Sequence, residues 1–403
     1  MDWRASRREK QRPVTRPVLA LNAGSSSLKF GLFDGADGSE GLTLLATGSM
    51  HREREGFRFK AIAADGSVIA DEPLPENSQR AVTERVLRWV EVRFGGDRLA
   101  AVGHRIVHGG GRFADPVLVD DEVLRELDDL IPLAPLHQPL GIAPIRLIGE
   151  LRPGLPQVAC FDTAFHRTIR PPASRYALPR DLEAQGIRRY GFHGLSYESI
   201  AHQLVAEGAG YDERIIVAHL GNGASLCALR DLKSVDTTMG FSALDGLVMG
   251  TRPGSIDPGI LLYLLKERGM SAEQLEQLLY RQSGLLGVSG ISSDVATLLA
   301  SGAPPASEAL DLFAFQVARH TAALAATLGG LDRFIFTGGI GEHSPEVCRM
   351  IAERLRWLGA ELDNGANESG AVRISTSGSP VLLERRRTQE ELAIARQCLE
   401  RVQ

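Results

Sequence analysis

Arg105 and Arg252 are conspicuous because neither lies in a charged stretch. Arg105 sits within Gly103-His104-Arg105-Ile106-Val107-His108-Gly109-Gly110, and Arg252 follows Met249-Gly250-Thr251. An arginine among glycines and apolar residues pairs with an anion, and its planar fork suits a carboxylate or a phosphate. The anion is either a ligand or the partner in a buried structural salt bridge. Three small-residue loops could hold phosphate oxygens. Asn22-Ala23-Gly24-Ser25-Ser26-Ser27-Leu28-Lys29 offers backbone N–H groups, hydroxyls and a point charge. It lacks the second glycine of a Walker loop, and a plain hairpin would be spelled the same way. His219-Leu220-Gly221-Asn222-Gly223 lets backbone approach a ligand, although Asn-Gly is also the commonest hairpin turn. Gly338-Gly339-Ile340-Gly341-Glu342-His343 precedes a helix, where N-terminal amides attract anions or a tight connection is made.

Acids and histidines follow aromatic residues at Phe161-Asp162-Thr163-Ala164-Phe165-His166 and at Tyr190-Gly191-Phe192-His193-Gly194. A histidine so placed is a catalytic group or a structural hydrogen-bonding partner. In Thr388-Gln389-Glu390-Glu391, the Thr388/Glu391 spacing predicts a capping box that opens a C-terminal helix. Glu390 then falls in the first turn, where a carboxylate complements the helix dipole.

Alternating strands and helices must position these groups. Val18 to Leu21 reads as an apolar strand, with a hairpin return through Leu28, Phe30 and Leu32. Further strands are expected at 101–107, 157–161, 215–220, 225–229 and 334–336. Helical spacing with acids on the far face predicts a helix over 120–131. Ser344-Pro345 should cap another, which Gly359 stops. Each half opens with strand, small-residue turn, strand, a short hint of internal duplication.

Composition excludes several classes. Across 403 residues, 45 Lys+Arg oppose 50 Asp+Glu for a net charge of −5, which disfavours a polyanion binder. With 43% hydrophobic and 24% charged residues, the chain is neither disordered nor a coiled coil. Cys160, Cys227, Cys348 and Cys398 lie far apart, which argues against a disulfide framework or zinc site and for a reducing compartment. The longest stretch without charge, Leu130 to Ile145, is too short to span a bilayer and contains four prolines. Residues 1–16 are basic without an apolar core and are expected to be a disordered tail rather than a signal peptide.

Taken in order, these motifs resemble the acetate kinase (acetokinase) family of short-chain carboxylate kinases. The likeness runs from Val18 to about Ala395 through N-A-G-S-S-S-L-K-F, G-H-R-I-V-H-G-G, P-L-H, F-D-T-A-F-H, Y-G-F-H-G, H-L-G-N-G-A-S, D-G-L-V-M-G-T-R, D-P-G, G-V-S-G-I-S-S-D and G-G-I-G-E. The resemblance implies a two-domain α/β fold of the actin/hexokinase/acetokinase superfamily, with a duplicated ribonuclease-H-like core and an interdomain cleft. It implies one domain at 17–163 plus 388–403, with the metal and carboxylate site, and a nucleotide-binding domain at 164–387. It also implies reversible Mg²⁺-dependent in-line transfer between ATP and acetate in a cytoplasmic homodimer, with Mn²⁺ able to substitute and no nucleic-acid or membrane partner.

By the same resemblance Asp162, His193 and Arg252 carry the chemistry, and Arg105 binds the carboxylate. Val107, Leu136, Phe192 and Ala243 surround the acyl group, and Asn22 and Glu390 hold the metal. Lys29, His219, Leu220, Gly221, Asn222, Gly223, Asp294, Val295, Ala296, Gly339, Ile340, Gly341, Glu342 and His343 match nucleotide-binding segments. A carboxylate is already ionised at pH 7, so the attacking group needs no strong base. The difficulty is uniting two anions, which calls for arginines, a histidine and a metal, with Asp162 orienting metal waters or His193. Several positions depart from the family: Pro253-Gly254-Ser255 after Arg252, Ala296 for arginine, His343 and Gln389 for asparagine, and Ala243 for proline. Propionate kinase is the nearest alternative, and an actin- or chaperone-type ATPase is the alternative of another class.

Overall fold

The computed structural model describes residues 17–402 apart from 25, 26, 40, 54, 55, 76, 77, 95–98 and 209. The basic stretch 1–16 and the centre of the Gly24–Ser27 turn lie outside the described residues. The strands are β1 (Pro17–Ala23), β2 (Ser27–Asp34), β3 (Thr43–Arg52), β4 (Phe57–Ala63), β5 (Val68–Leu74), β6 (Ala101–Ile106), β7 (Val117–Leu118) and β8 (Gln157–Phe161) in the first half. In the second half they are β9 (Ile215–Leu220), β10 (Ala224–Arg230), β11 (Lys233–Thr237), β12 (Arg333–Thr337) and β13 (Leu382–Arg385).

The strands form two sheets, ordered β5-β4-β3-β2-β1-β6-β8-β7 and β11-β10-β9-β12-β13. Within the first, β1, β2 and β3 make an antiparallel meander, after which β6 joins β1 and β8 joins β6 in parallel. In the second, β9, β10 and β11 meander, β12 joins β9 in parallel and β13 joins β12 in parallel. The order and direction of five strands are thus repeated. The short sequence likeness between Leu21–Gly24 and Leu220–Gly223 falls at the same place in each repeat, the end of the first strand.

Alternation along the first strand of each repeat assigns its faces. Leu19 and Leu21 pack with Phe30, Val86, Trp89 and Ile148, whereas Val18 and Ala20 pack with Ile394, Cys398 and Leu399 of the helix Glu390–Val402. Asn22 continues the second face and so points toward the start of that helix. In the second sheet, Ile216 and Ala218 join a core with Phe313 and Val317 of the long helix Pro304–Leu328. Ile215 and Val217 pack with Tyr197, Ile200 and Leu204 of the helix Gly194–Ala206, and His219 continues that face. The two covering helices meet: Gln389 N donates to Ser199 Oγ at 2.8 Å and Gln203 Nε2 donates to the Arg387 carbonyl at 2.9 Å.

Some boundaries differ from the sequence reading. The helix expected over 120–131 runs from Asp121 to Asp129, with Asp120 accepting from Val123 N as its cap. Gly338–His343 is itself a short helix, and the next runs from Pro345 to Arg354. Pro345 occupies its first turn, but Ser344 makes no side-chain cap bond, and Gly359 ends a separate 3-10 turn at Arg356–Leu358. The C-terminal helix does form, yet Thr388 Oγ1 is buried without a partner among the described residues and Glu391 accepts from Asn22 instead, so the expected capping box is absent. The four cysteines are free and buried. No helix among the described residues is long and apolar enough to cross a membrane.

Gly338 sets the approach of the Gly338–His343 turn to the end of β9. Its φ is +76°, and a Cβ there would lie 2.8 Å from the Leu220 carbonyl oxygen and 3.0 Å from its amide nitrogen. Both neighbours are strand backbone and cannot yield cheaply. Gly338→Ala is expected to lower unfolding stability by about 2 kcal/mol or more, measured by urea denaturation. Gly339, beside which a Cβ meets nothing within 4 Å, should tolerate alanine far better.

Candidate active site

Three adjacent parallel strands deliver the polar centre of the first sheet from their C-terminal ends. β1 ends at Asn22-Ala23, β6 at Arg105-Ile106, and Asp162 directly follows β8, its amide donating to the Ile106 carbonyl at 2.9 Å. Arg105 Nη2 and Nε donate to Asp162 Oδ2 at 2.6 and 3.0 Å, and Arg105 Nη1 donates to Asn22 Oδ1 at 3.2 Å. Asn22 Nδ2 passes the chain on to Glu390 Oε2 at 2.8 Å and Glu391 Oε1 at 3.3 Å. Asp162 and Asn22 are buried. Burial alone would lower the Arg105 guanidinium, but Asp162, Glu390 and Glu391 raise it, so it is always charged. Burial lifts the Asp162 carboxyl above its usual range against the pull of Arg105.

Glu390 and Glu391 differ although they are neighbours. Burial pushes Glu390 up, but Arg105, His219 and Lys29 outweigh it and hold the carboxyl below its ordinary value. Burial and the charge of Glu390 push Glu391 up. Glu390 accepts one hydrogen bond, from Asn22, among the described residues, and its remaining lone pairs are free. A hard oxygen set of this kind fits Mg²⁺, which takes one or two protein carboxylates and completes its shell with phosphate and water. No group of three or more His, Cys, Asp or Glu side chains able to hold a metal occurs among the described residues.

The second sheet contributes cations and imidazoles. His193 is the residue before the helix Gly194–Ala206 and has the left-handed φ of 59°. Its Nδ1 lies 2.8 Å from Ser225 Oγ, and its ring stacks on His219 with centroids 4.2 Å apart. His219 Nδ1 in turn lies 2.8 Å from Ser196 Oγ. Burial, then His219 and the two arginines, push His193 well below its ordinary value, so it is neutral near pH 7. Burial lowers His219 as well.

Arg252 comes from a loop that packs on the Gly221–Gly223 turn. Gly250 N donates to the Asn222 carbonyl at 3.0 Å, and a Cβ on Gly250 would collide with Asn222 Oδ1. Arg252 Nη1 donates to the Ala243 carbonyl at 2.8 Å, and no carboxylate pairs with it among the described residues. Burial pushes its guanidinium down to about 10. A Cβ on Gly223 would lie 2.8 Å from Arg252 Nη2 and 3.3 Å from His193 Nε2. The missing side chain therefore leaves both nitrogens open to one spot.

These groups line one cavity of about 820 Å³ between the sheets. Of the residues singled out from sequence, Asn22, Lys29, Arg105, Val107, Asp162, Phe192, His193, His219, Gly221, Asn222, Gly223, Ala243, Arg252, Gly339, Glu342, His343 and Glu390 line it. Val107, Phe192, Met239 and Ala243 supply one apolar stretch of its lining, and Phe30 and Ile62 of the first sheet another. Leu136 does not line it; its neighbour His137 does, pushed down to about 4 by burial and by Arg252 and Arg105. Leu220, Ile340 and Gly341 lie behind the wall as packing residues. Asp294, Val295 and Ala296 are outside it: Asp294 caps the helix Val295–Ser301, Val295 is core and Ala296 is exposed. His166 is structural, joining Ser234 Oγ to the Phe192 carbonyl.

Sequence reasoning gave no site role to His137, in the P-L-H motif, or to Glu391, read as a cap, and missed Met239 and a polar wall from β3 and β4 that includes Ser49, His51 and Lys60. Cross-strand register carries the signal for that wall: Asn22 faces Lys29, Lys29 faces Ser49 and Ser49 faces Lys60. Glu342 Oε1 accepts from Gly338 N at 3.1 Å and Thr388 N at 3.0 Å, tying the glycine turn to the segment that crosses back to the first sheet.

A family model described as the acetokinase family matches residues 17–396. An acetate kinase of Rhodopseudomonas palustris is 51% identical over 384 residues, covering 94% of this chain and 96% of the relative. Among solved structures, a propionate kinase from Francisella tularensis matches with a TM-score of 0.86 at 36% identity, covering 95% of this chain and 98% of that one. An acetate kinase from Porphyromonas gingivalis matches with a TM-score of 0.82 at 35% identity, covering 96% and 100% of the two chains.

The unpaired Thr388 hydroxyl yields a direct test of the cap correction. A working Thr cap is worth about 1 kcal/mol, whereas a buried hydroxyl without a partner costs stability. Thr388→Val is therefore expected to leave unfolding stability within about 0.5 kcal/mol or to raise it. A loss near 1 kcal/mol in urea denaturation would restore the capping box.

Proposed function

The chain belongs to the acetokinase family, and from that premise we propose that it transfers the γ-phosphoryl group of ATP reversibly to acetate, giving acetyl phosphate and ADP. The observation that carries this reading is the convergence of Arg252 Nη2 and His193 Nε2 on the open face of Gly223, beside Arg105 and an apolar pocket. A phosphoryl group in transfer spreads negative charge over its equatorial oxygens, and fixed donors in a water-poor cleft stabilise it. Arg252 has no carboxylate partner among the described residues, so an incoming phosphoryl group offsets the cost of its burial. Arg105, already aimed by Asp162 and Asn22, retains donor capacity for the carboxylate of acetate. Val107, Phe192, Met239 and Ala243 receive the methyl group.

Glu390, oriented by Asn22, is the group that would hold the Mg²⁺ accompanying the nucleotide. When bound, that ion offsets charge on the phosphate oxygens. The amides of Asn222, Gly223 and Gly339, with Lys29, are suited to the phosphate chain, whereas that of Gly221 donates to the Gly223 carbonyl at 3.0 Å. Residues 17–163 with 388–403 form the carboxylate and metal half, and 164–387 the nucleotide half. Exposed Ile256, Ile260, Leu262, Tyr263 and Leu265, on or beside the helix Pro258–Lys266, form an apolar face suited to a homodimer contact. The free buried cysteines fit a reducing, cytoplasmic setting.

Trapping acyl phosphate with hydroxylamine across acetate, propionate and butyrate tests the reaction. Absence of hydroxamate with every acid would sink it. Arg252→Ala should lower kcat by at least about a hundredfold with a much smaller change in the acetate KM, as expected for a transition-state contact. Arg105→Ala should raise the acetate KM strongly as well. Near-normal rates in both variants would overturn the assignment.

Acyl preference has its own test. One methylene in an apolar pocket is worth about 1–3 kcal/mol, so acetate should exceed propionate by several-fold to about a hundredfold. Val107→Ala should improve the kcat/KM of propionate relative to acetate. Propionate exceeding acetate in the unaltered enzyme would reverse the substrate name.

A further inference from the structure

Ser225 ends the His219–Ser225 motif, and nothing above gives it a task. Its Oγ lies 2.8 Å from His193 Nδ1 and also hydrogen-bonds the Tyr197 hydroxyl. Ser225 and Tyr197 have no solvent exposure at all. Among the described residues, the Tyr197 hydroxyl has no other hydrogen-bond partner. The three groups form a closed chain, Tyr197 to Ser225 to His193, with one end in the core and the other in the cavity.

Each hydroxyl brings one proton, and the chain can run in two directions; a third arrangement, with both neighbours donating into Ser225, leaves the serine proton without an acceptor among the described residues. In the first, His193 Nδ1–H donates to Ser225, which donates to Tyr197. The tyrosine proton is then left in the core with no acceptor, a costly arrangement for a buried donor. In the second, Tyr197 donates to Ser225 and Ser225 donates to His193 Nδ1. Both buried hydroxyl protons then have an acceptor, and the Nε2–H of His193 faces the cavity. Burial keeps the Tyr197 hydroxyl protonated, well above its ordinary pKa, and so keeps it a donor.

We infer that Tyr197 and Ser225 are positioning residues that fix His193 as its Nε2–H tautomer. A neutral imidazole then presents an N–H, not a lone pair, to the spot it shares with Arg252 Nη2. His193 would act as a hydrogen-bond donor to the transferring phosphoryl group and not as a base. The part about the phosphoryl group rests on the phosphotransfer reading above. The tautomer itself rests on hydrogen-bond accounting. The left-handed φ of His193, 59°, is a backbone state that a non-glycine residue holds only where its surroundings require it. Gly194 follows so closely that a Cβ there would strike the Asp162 carbonyl, so the ring direction is fixed by packing on both sides.

The test is ¹⁵N spectroscopy of the histidine rings in the full chain, with His193→Gln used to assign the signal, alongside kinetics. The unaltered protein should show a proton-bearing Nε2 and a bare Nδ1 on His193. Tyr197→Phe removes the terminal donor but keeps the ring; Ser225 can still donate to Nδ1, so the Nε2–H form should persist. Ser225→Ala, which takes the partner away from Nδ1, should lower kcat by about tenfold or more, short of the roughly 10²-fold loss from removing a donor outright, with KM values changed less than about threefold. Ser225→Thr keeps a hydroxyl and should retain the Nε2–H signal, and Ser225→Ala should lose it. An Nδ1–H tautomer in the unaltered protein, or a Ser225→Ala variant with unchanged spectrum and kcat, would overturn the inference. A chain that makes no acyl phosphate would refute the phosphotransfer reading, while the spectrum would still decide the tautomer.

Discussion

The two arginines of the cleft are buried on different terms, and that difference organises the site. Arg105 is compensated within the protein: Asp162 takes two of its donors and Asn22 a third. Arg252 has one carbonyl, that of Ala243, and no acid among the described residues. Removing an unpaired guanidinium from water is expensive, and the lowered value of about 10 expresses that cost. The first arginine is a fixed element of the scaffold with donor capacity to spare. The second is an electrostatic debt that only a ligand anion settles.

Such an arrangement needs two rigid supports facing one another, and the repeated five-strand pattern supplies them. In each sheet the first strand has both faces covered, so the polar residue at its end, Asn22 or His219, points where the covering helix begins. Those two helices touch through Ser199, Gln203, Arg387 and Gln389. Side chains from the ends of β1, β6 and β8 thereby meet side chains from β9 and its turn across one cavity. The glycines at 223, 250 and 338 are needed because backbone and guanidinium approach there more closely than a Cβ would allow.

Strands with strong apolar patterns were legible to within about two residues, since burial on both faces leaves only one reading of Ile215–Leu220 or Gln157–Phe161. The site loops were legible because small residues cluster where backbone must approach a ligand. What sequence did not carry was competition for partners. The spacing of Thr388 and Glu391 is that of a capping box, but Asn22 from a distant strand takes the glutamate. Leu136 lies next to His137 in sequence, and only the local turn decides which of them lines the cavity. Asp294, Val295 and Ala296 match a nucleotide segment by resemblance; Asp294 caps a helix, Val295 is in the core and Ala296 faces solvent. The wall at Ser49 and Lys60 depends on cross-strand register, which no local window contains.

The partition of charge also limits what Asp162 can do. Its Oδ2 accepts twice from Arg105 at the mouth of β6, and withdrawing it as a base would strand a buried guanidinium. A carboxylate acceptor arrives ionised, so no proton needs removing, and an acid committed to its arginine costs the reaction nothing. His193 is likewise poorly placed to be a cation, stacked on His219 and between two arginines. A neutral donor avoids adding a third buried positive charge while still giving a hydrogen bond to developing negative charge. The site therefore reads as one built to hold anions in place, with its buried cations and imidazoles aimed as hydrogen-bond donors.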